Sequence, residues 1–490
     1  MAYALFTKPK VWDDNTMKRK SKNVAVFGVF ERLHLGHIRF LHFSASLGDR
    51  LTVGLLDVGN KITYEARKRK LLELEIVDDV VVLEESPLEF IKKFKPDVVV
   101  KGREFEHLNN PELDIIEGYR GQLIFSSGET RFYSEDLRTN EMSDYVTPLQ
   151  IPTQFLKNHQ ISSKKINEIL ESFSTLKVIV VGDSIVDEYV ECDPLGMSQE
   201  DPTLVVRPSS SENFLGGAGI VAAHAKSLGS EVHFFTVTGD DEHGVFVSEK
   251  AIEYGVNYQG IVDLDRPTTH KKRYRALGKT MLRVNTFLQQ PISSQIQLKI
   301  MAAIENLIID TDVLIFSDFN YGLLTKSLID QITKLAKRYN VIICADSQSS
   351  SQDGDVSRFT GAALITPTER EARMAVNEQQ IGLVSLAQKL NDKLDVKNIL
   401  ITLGQEGVLI HSQRGKGWEN DTLPALNASA KDPAGGGDAL LVLVSMSIAA
   451  KATIWEACYL ASVGAAIQVG RLGNSPIKKI EITSQLDRWD

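Results

Sequence analysis

Along the first quarter of the chain, short apolar runs recur between amphipathic stretches: Val24 to Phe27, Leu51 to Leu56, Val80 to Leu83 and Val98 to Val100. Runs of this kind suit strands buried on both faces, and their alternation with helical stretches predicts a parallel sheet with helical crossovers. Strand-like runs lapse after Phe125. Between Ser143 and Lys177 come Pro148 and Pro152, then Ile166, Ile169, Leu170 and Phe173 at offsets of 3, 4 and 7 residues, a helical pattern. A second series begins at Val178 to Val181 and continues through Val232 to Phe235, Val313 to Phe316, Val341 to Cys344 and Ile399 to Thr402, as expected of one large doubly wound domain. Thr203 to Arg207 and Lys271 to Leu277 read as strands outside that alternation and predict a small β lid. The expected organisation is α/β throughout: an extension at 1–23, a first domain at 24–142, a linker and helix at 143–175, and the doubly wound domain at 176–490.

Composition narrows the classes. With 43% hydrophobic and 24% charged residues in 490, the chain is ordinary globular protein, which excludes disordered and fibrous classes. Lys and Arg number 55 against 64 Asp and Glu, a net charge of −9 that argues against a general nucleic-acid partner. Cys192, Cys344 and Cys458 are too few and too scattered for a disulfide framework or a zinc site, which points to a reducing, cytoplasmic compartment. Met1 to Asn23 holds no apolar segment of secretory-signal length. The longest apolar stretch, Ala439 to Ala450, has 12 residues, short of the roughly 20 that span a bilayer. It predicts a buried helix and no membrane partner.

The first chemistry-bearing segment is Gly28-Val29-Phe30-Glu31-Arg32-Leu33-His34-Leu35-Gly36-His37, directly after a strand run and before a helical pattern. N–H groups at a helix start favour phosphate, Gly36 permits close approach of a nucleotide, and His34 and His37 are placed to donate hydrogen bonds to phosphoryl oxygens. Two histidines three residues apart are also an ordinary surface or core pair, so the context has to carry the argument. The segment resembles the HxGH signature, usually GxFDxLHxGH, of the cytidylyltransferase-like nucleotidyltransferases, over about residues 24–140. Lys61, Arg67 in Tyr64-Glu65-Ala66-Arg67, and Pro96 to Gly102 extend the resemblance. In that family a sugar or alcohol phosphate attacks a nucleotide α-phosphate and pyrophosphate leaves. The resemblance implies that His34 and His37 stabilise the pentacovalent phosphate, that Phe30 and Gly36 line the nucleotide, and that Lys61 and Arg67 neutralise charge. Glu31 stands where the family has aspartate. Glu135 and Asp136 fall in the segment where hydroxyl side chains usually meet the triphosphate, and carboxylates there repel phosphate.

The second segment is Asp432-Pro433-Ala434-Gly435-Gly436-Gly437-Asp438-Ala439, running into the apolar helix. Consecutive glycines at a helix start present unhindered N–H groups to an anion. Asp438 is then placed to accept the proton of an attacking sugar hydroxyl, while the amides of Gly435, Gly436 and Gly437 neutralise charge on the transferring phosphoryl group. The alternative is a glycine-rich turn whose helix-starting acid has no chemical role. These residues resemble the DTxGAGD signature of the ribokinase (PfkB) sugar kinases, over about residues 176–476. Gly182 to Asp187 matches that family's opening strand and sugar-binding aspartate, and Gly216 to Ala222 its sugar loop, with Ile220 near where asparagine is frequent. Thr402 to Gly407 matches its TxGxxG turn. The resemblance implies a ribokinase-like doubly wound fold behind a Rossmann-like first domain. It also implies sugar contacts at Asp183, Asp187, Gly216 and Gly217, and nucleotide contacts at Thr402, Gly404 and Gly407.

Within that family the sequence is similar to the bacterial heptose 7-phosphate kinase module along Asp183 to Tyr189, Ser198 to Val206, Lys271 to Arg273, Leu282-Arg283, Ser317 to Phe319 and Gly470 to Ser475. On that resemblance Lys271, Arg273 and Arg283 hold the phosphate that the sugar already carries, although lid strands commonly bear solvated Lys and Arg. Where those kinases have aspartate followed by Pro-Lys, this chain has Asp346-Ser347-Gln348, so a nucleotide-phosphate lysine is missing. Their TPNxxE segment reads Thr366-Pro367-Thr368-Glu369-Arg370-Glu371, keeping Glu371 for hydrated Mg2+. Bacterial heptose-phosphate enzymes join such a kinase to an HxGH nucleotidyltransferase with the kinase first, and here the order is reversed. Together the resemblances imply a bifunctional transferase acting on a sugar phosphate, with Mg2+ and ATP at the kinase site, ATP or CTP at the other, and a homodimer through the lids. A second reading makes residues 24–140 a nucleotide-sensing or assembly module, and a third leaves neither site catalytic.

Overall fold

The computed structural model describes residues 22–30, 35–56, 64–74, 76–83, 86–102, 110–119, 121–126, 149–198, 200–201, 203–276, 278–348, 354–415, 417–427 and 430–486. It divides into two units, Met1–Thr147 and Pro148–Asp490. In the first, strands β1 (Asn23–Gly28), β2 (Arg50–Leu56), β3 (Asp79–Leu83), β4 (Val98–Gly102) and β5 (Gln122–Ser126) alternate with helices α1 (Leu35–Ala45), α2 (Tyr64–Leu72), α3 (Pro87–Phe94) and α4 (Glu112–Gly118). The strands lie in the order β3-β2-β1-β4-β5, every pair parallel. Val24, Val26, Leu51, Val53, Val98 and Val100 close the core, as the unbroken apolar runs require. Strand order reverses between β1 and β4. The carboxyl end of β1, where α1 begins, therefore lies at a topological switch point, the place where open α/β sheets bind ligands.

The second unit opens with α5 (Thr153–Asn158) and α6 (Ser163–Ser172), then β6 (Lys177–Gly182), β7 (Ser184–Met197), β8 (Leu204–Gly217), α7 (Ala218–Ser227), β9 (Glu231–Thr238), α8 (Glu242–Glu253) and β10 (Asn257–Val262). There follow β11 (His270–Ala276), β12 (Lys279–Thr286), α9 (Ser294–Leu307), β13 (Val313–Asp318), α10 (Lys326–Arg338), β14 (Ile342–Ser347), β15 (Leu364–Ile365), α11 (Glu369–Val376) and α12 (Leu383–Leu394). The chain ends with β16 (Asn398–Thr402), β17 (Val408–Arg414), β18 (Gly417–Leu423), α13 (Gly436–Ala449), α14 (Ile454–Val469) and α15 (Lys479–Leu486). Nine strands form one sheet, β10-β9-β6-β13-β14-β15-β16-β17-β18, parallel except for the β17 and β18 edge. Successive side chains of a strand point to opposite faces. Val178, Val180, Val313 and Ile315 accordingly join one core, and Ile179, Val181, Leu314 and Phe316 the other.

Helix α13 is apolar all round and buried along nearly its whole length, as a helix with no polar face must be. Its two serines direct their hydroxyls to Leu441 O and Leu443 O, at 2.6 and 2.7 Å, so no polar group is stranded. Residues 149–175, expected as a linker with one helix, are instead two helices. Phe155, Ile166, Ile169, Leu170 and Phe173 belong to the same core as Val178 and Val180, because an apolar stripe that long needs a partner.

Four strands, β12-β11-β7-β8, make a separate lid sheet. It is larger than the expected segments 203–207 and 271–277: β7 and β8 run 14 residues each. Arg207 to Asn213 of β8 are all exposed, so the ladder to β7 rather than burial holds them extended, and no hydrophobic period marks them in the sequence.

The central strand meets its neighbour tightly at the end that carries the site. A Cβ on Gly182 would lie 2.0 Å from Ser317 O, a backbone atom that cannot turn away. Gly182→Ala is expected to lower stability by about 1–3 kcal/mol, read as a lower urea midpoint at unchanged slope.

Candidate active site

The nine-stranded sheet reverses its order between β6 and β13, and both strands deliver carboxylates there. Asp183, directly after β6, accepts the N–H groups of Phe319 and Tyr321 on one oxygen, at 3.0 and 3.2 Å. Burial, followed by the charge of Asp318, pushes it up to about 6. Asp318 ends β13 and is held by Arg358 and by the Ser347 hydroxyl at 2.6 Å. Asp187, on β7, pairs with Arg273 and accepts Asn474 Nδ2 at 3.4 Å. Gly216 faces it so closely that a Cβ would sit 2.3 Å from Asp187 Oδ2. Gly217 has φ +59° and caps α7.

The glycine run becomes the turn into α13. Gly435 adopts φ +77°, and a Cβ there would lie 2.3 Å from Asn474 Oδ1, so conformation and crowding both demand glycine. Gly436 and Gly437 form the first turn of α13, whose N–H groups have no partner within the helix. Asp438 is only 5% exposed. Burial pushes its carboxyl up to about 7; Asp187 raises it further, while Gln348 and Lys271 oppose. Gln348 Nε2 donates to Asp438 Oδ1 at 2.8 Å.

The lid supplies cations. Lys271 is buried with Nζ over the rings of Phe319 and Tyr321, at 5.1 and 5.5 Å. Arg273 lies 5.0 Å from the centre of the Tyr189 ring. Arg283 stands opposite Arg273 in the β11/β12 ladder and is exposed; directly opposed residues share a face. Tyr189 also ties the lid to the glycine turn. Its hydroxyl donates to Asp432 Oδ2 at 2.6 Å, and Asp432 in turn accepts the N–H groups of Ala434 and Gly473, at 3.1 and 3.3 Å.

On the far side, Thr402 closes β16 and Gly404 opens the next turn with φ +60°. A Cβ on Gly407, at φ +103°, would lie 2.0 Å from Leu423 O. Thr402 and Gly404 line a cavity of about 760 Å3 together with Thr368, Glu369, Arg370 and Arg373. Thr368 caps α11, and buried Glu371 returns its carboxylate to the Thr368 N–H at 2.8 Å. Asp346 lies close to Glu371 and Asp438; burial and those two charges hold its carboxyl well above the usual range. Its buried Oδ1 has no hydrogen-bond partner. Such an unanswered acceptor beside Glu371 suits a cation.

In the first unit, Phe30 takes φ +43° and is buried. Its ring folds over Gly28 and meets the half-buried His37 edge-on, with centroids 5.0 Å apart. Gly36 falls in the first turn of α1. Arg67 is buried, and Nη1 donates to Val29 O at 2.6 Å and Leu56 O at 3.0 Å, joining the ends of β1 and β2. His34, Lys61, Glu31, Glu135 and Asp136 lie outside the described residues.

The structure therefore brings Asp438, Asp187, Lys271 and Gln348 around one centre. Sequence reasoning gave no role to Tyr189, Asp432, Asn474 or the Gln348 amide. Asp432 and Asn474 are 42 residues apart in number and meet only through the fold, which no spacing rule detects.

A buried acid at the head of a helix, with lid cations nearby, is an arrangement that suits phosphoryl transfer. The model of the pfkB family carbohydrate kinases matches residues 175–480, and the chain belongs to this family. The cytidylyltransferase-like model matches residues 25–169. The chain is 33% identical over 318 residues to the "Bifunctional protein HldE" of Desulfatibacillum aliphaticivorans, and 31% identical over 315 residues to that of Campylobacter jejuni subsp. doylei. These matches take in 64% and 63% of this chain, and the chain spans 64% of the length of each of these curated relatives. The ribokinase of Arabidopsis thaliana, solved with ribose and ATP, superposes with a TM-score of 0.51 at 17% identity. Phosphofructokinase-2 of Escherichia coli gives 0.52 at 13%. Each superposition covers 64% of this chain and 98% of the other, and at these identities they speak for the fold.

Tyr189→Phe removes the lid's donor to Asp432 and leaves a buried carboxylate short of a partner. It is expected to cost about 1–3 kcal/mol in urea unfolding and to lower kcat.

Proposed function

We propose that the second unit transfers the γ-phosphoryl group of ATP to C1 of a heptose 7-phosphate-like sugar, and that the first unit is a nucleotidyltransferase that forms a nucleotide sugar with pyrophosphate release. The observation that carries the kinase reading is Asp438, buried at the head of α13 within the influence of the sugar-side groups Asp187 and Lys271. The sugar hydroxyl oxygen attacks the γ-phosphorus, its proton passes to Asp438, and the bond to the β–γ bridging oxygen breaks to leave ADP. The N–H groups of the Gly435 to Gly437 turn answer the charge on the transferring group. Asp183 and Asp187 orient sugar hydroxyls, and Lys271, Arg273 and Arg283 receive the phosphate already present. Thr402, Gly404 and Gly407 border the nucleotide. Glu371 would hold Mg2+, which when bound screens the nucleotide's phosphate charge.

ATP or CTP serves the first unit, with His34 and His37 at the transferred phosphate, Phe30 and Gly36 beside the nucleotide, and Lys61 and Arg67 as its cations. The domains are placed at 24–142 and 176–490, with the helices of residues 149–175 packed on the core of the second. The protein works in the cytoplasm as a homodimer joined through the lids. That the relatives named above are called bifunctional supports the two-activity reading. One observation favours a sensor module for the first unit instead: Arg67 Nη1 is bonded to two backbone carbonyls.

With Mg2+, ATP, CTP and a panel of sugar phosphates, 31P NMR is expected to show a new sugar 1-phosphate and ADP. Asp438→Asn should lose roughly 10²–10⁴-fold in kcat. Because Asp438 must be ionised to accept a proton and its carboxyl is pushed up to about 7, kcat/KM should be flat above that pH. Below it the rate should fall about tenfold per unit. His37→Ala should cut pyrophosphate release by roughly 10²-fold; nucleotide binding with no pyrophosphate from the unaltered protein would favour the sensor.

A further inference from the structure

Gln348 stands at the end of β14 with its backbone N–H on Asp318 O, at 2.8 Å, so the strand register fixes where its side chain starts. Its amide donates to Asp438 Oδ1 at 2.8 Å, and Nε2 lies 3.9 Å from where a Cβ on Gly437 would be. The amide is thus packed over the glycine turn as well as bonded to the acid. One hydrogen bond from a neutral donor restrains the carboxylate without placing a full charge against it. The second oxygen, Oδ2, is left to meet a hydroxyl proton.

We propose that Gln348 is the positioning residue for Asp438: its neutral amide fixes the orientation of the carboxylate while preserving its basicity. The proposal rests on the reading of Asp438 as the base. Four other charged groups act on that carboxylate or its neighbour, namely Asp187 from β7, Lys271 from β11, Asp346 from β14 and Glu371 from α11, and the same amide also lowers the pKa of the Asp346 carboxyl. The amide has to work among three acids and one cation. A cation at position 348 would favour the ionised form more strongly and weaken it as a base. An apolar side chain would remove a donor and leave the carboxylate free to turn.

Opposite displacements of one pH profile separate this role from mere packing. In the full-length protein, with ATP and a heptose 7-phosphate, Gln348→Met keeps the volume and removes the donor. It is expected to lower kcat roughly tenfold to a hundredfold, the worth of one hydrogen bond to a charged group. Its acid limb should move to higher pH, with both KM values within about twofold. Gln348→Lys should move the limb to lower pH and also lower the plateau. Combining Gln348→Met with Asp438→Asn should cost no more than Asp438→Asn alone. Far-UV circular dichroism and an unchanged urea midpoint show that each variant is folded.

An unchanged kcat and limb in Gln348→Met would overturn the proposal. So would a rise in the KM for ATP at constant kcat, which would make Gln348 a nucleotide contact. Near-normal activity of Asp438→Asn would sink the underlying base assignment instead, and the two failures are therefore distinct.

Discussion

A carboxylate held in a dry place at the end of an apolar helix is the constraint around which the second unit is arranged. Asp438 can be buried because α13 is buried, and α13 is buried because it has no polar face to show to water. The helix leaves its first N–H groups without intrahelical partners at the same point, so a buried acid and a cluster of donors arise together from one chain reversal. That reversal depends on Gly435 in a left-handed conformation, with Asn474 filling the space where a side chain would be. The low-dielectric surroundings that raise the carboxyl are those that make the same N–H groups effective toward phosphate.

The sheet topology brings the substrate side to this helix. β6 and β13 are neighbours at the reversal of strand order, so Asp183 and Asp318 emerge side by side. Their mutual charge is relieved by backbone N–H groups, Ser347 and Arg358. The lid grows out of the same point, since β7 follows β6 after a single residue and β8 returns into α7. Asp187 and Tyr189 on one lid strand then reach Asn474 and Asp432 in the loops that frame the glycine turn. The lid and the glycine turn are mechanically joined through these buried hydrogen bonds, each costly to leave unmade.

The first unit uses the same principle on a smaller sheet. Its order reverses at β1, and the left-handed Phe30 brings its ring against His37 just beyond that strand. Arg67, given a charge-neutralising part by family resemblance, also braces the carbonyl ends of β1 and β2 through Nη1, a packing contact that only the fold reveals.

What the chain determines by itself is the part governed by local period and local chemistry. The β-branched runs give the central strands, the apolar stretch Ala439 to Ala450 gives a buried helix, and Gly435-Gly436-Gly437-Asp438 gives a glycine turn with an acid at a helix start. These follow because period and backbone freedom are properties of neighbouring residues. The exposed, polar part of β8 depends on its ladder to β7, and the helices before β6 depend on a core assembled from residues far along the chain. The same holds for function. Asp438 is legible as an acid, but its basicity is set by burial and by Gln348, 90 positions away. The links from Tyr189 to Asp432 and from Asn474 to Asp187 exist only once the lid folds over the turn. Desolvation and long-range hydrogen bonding are properties of the packed molecule, so tertiary structure alone decides them.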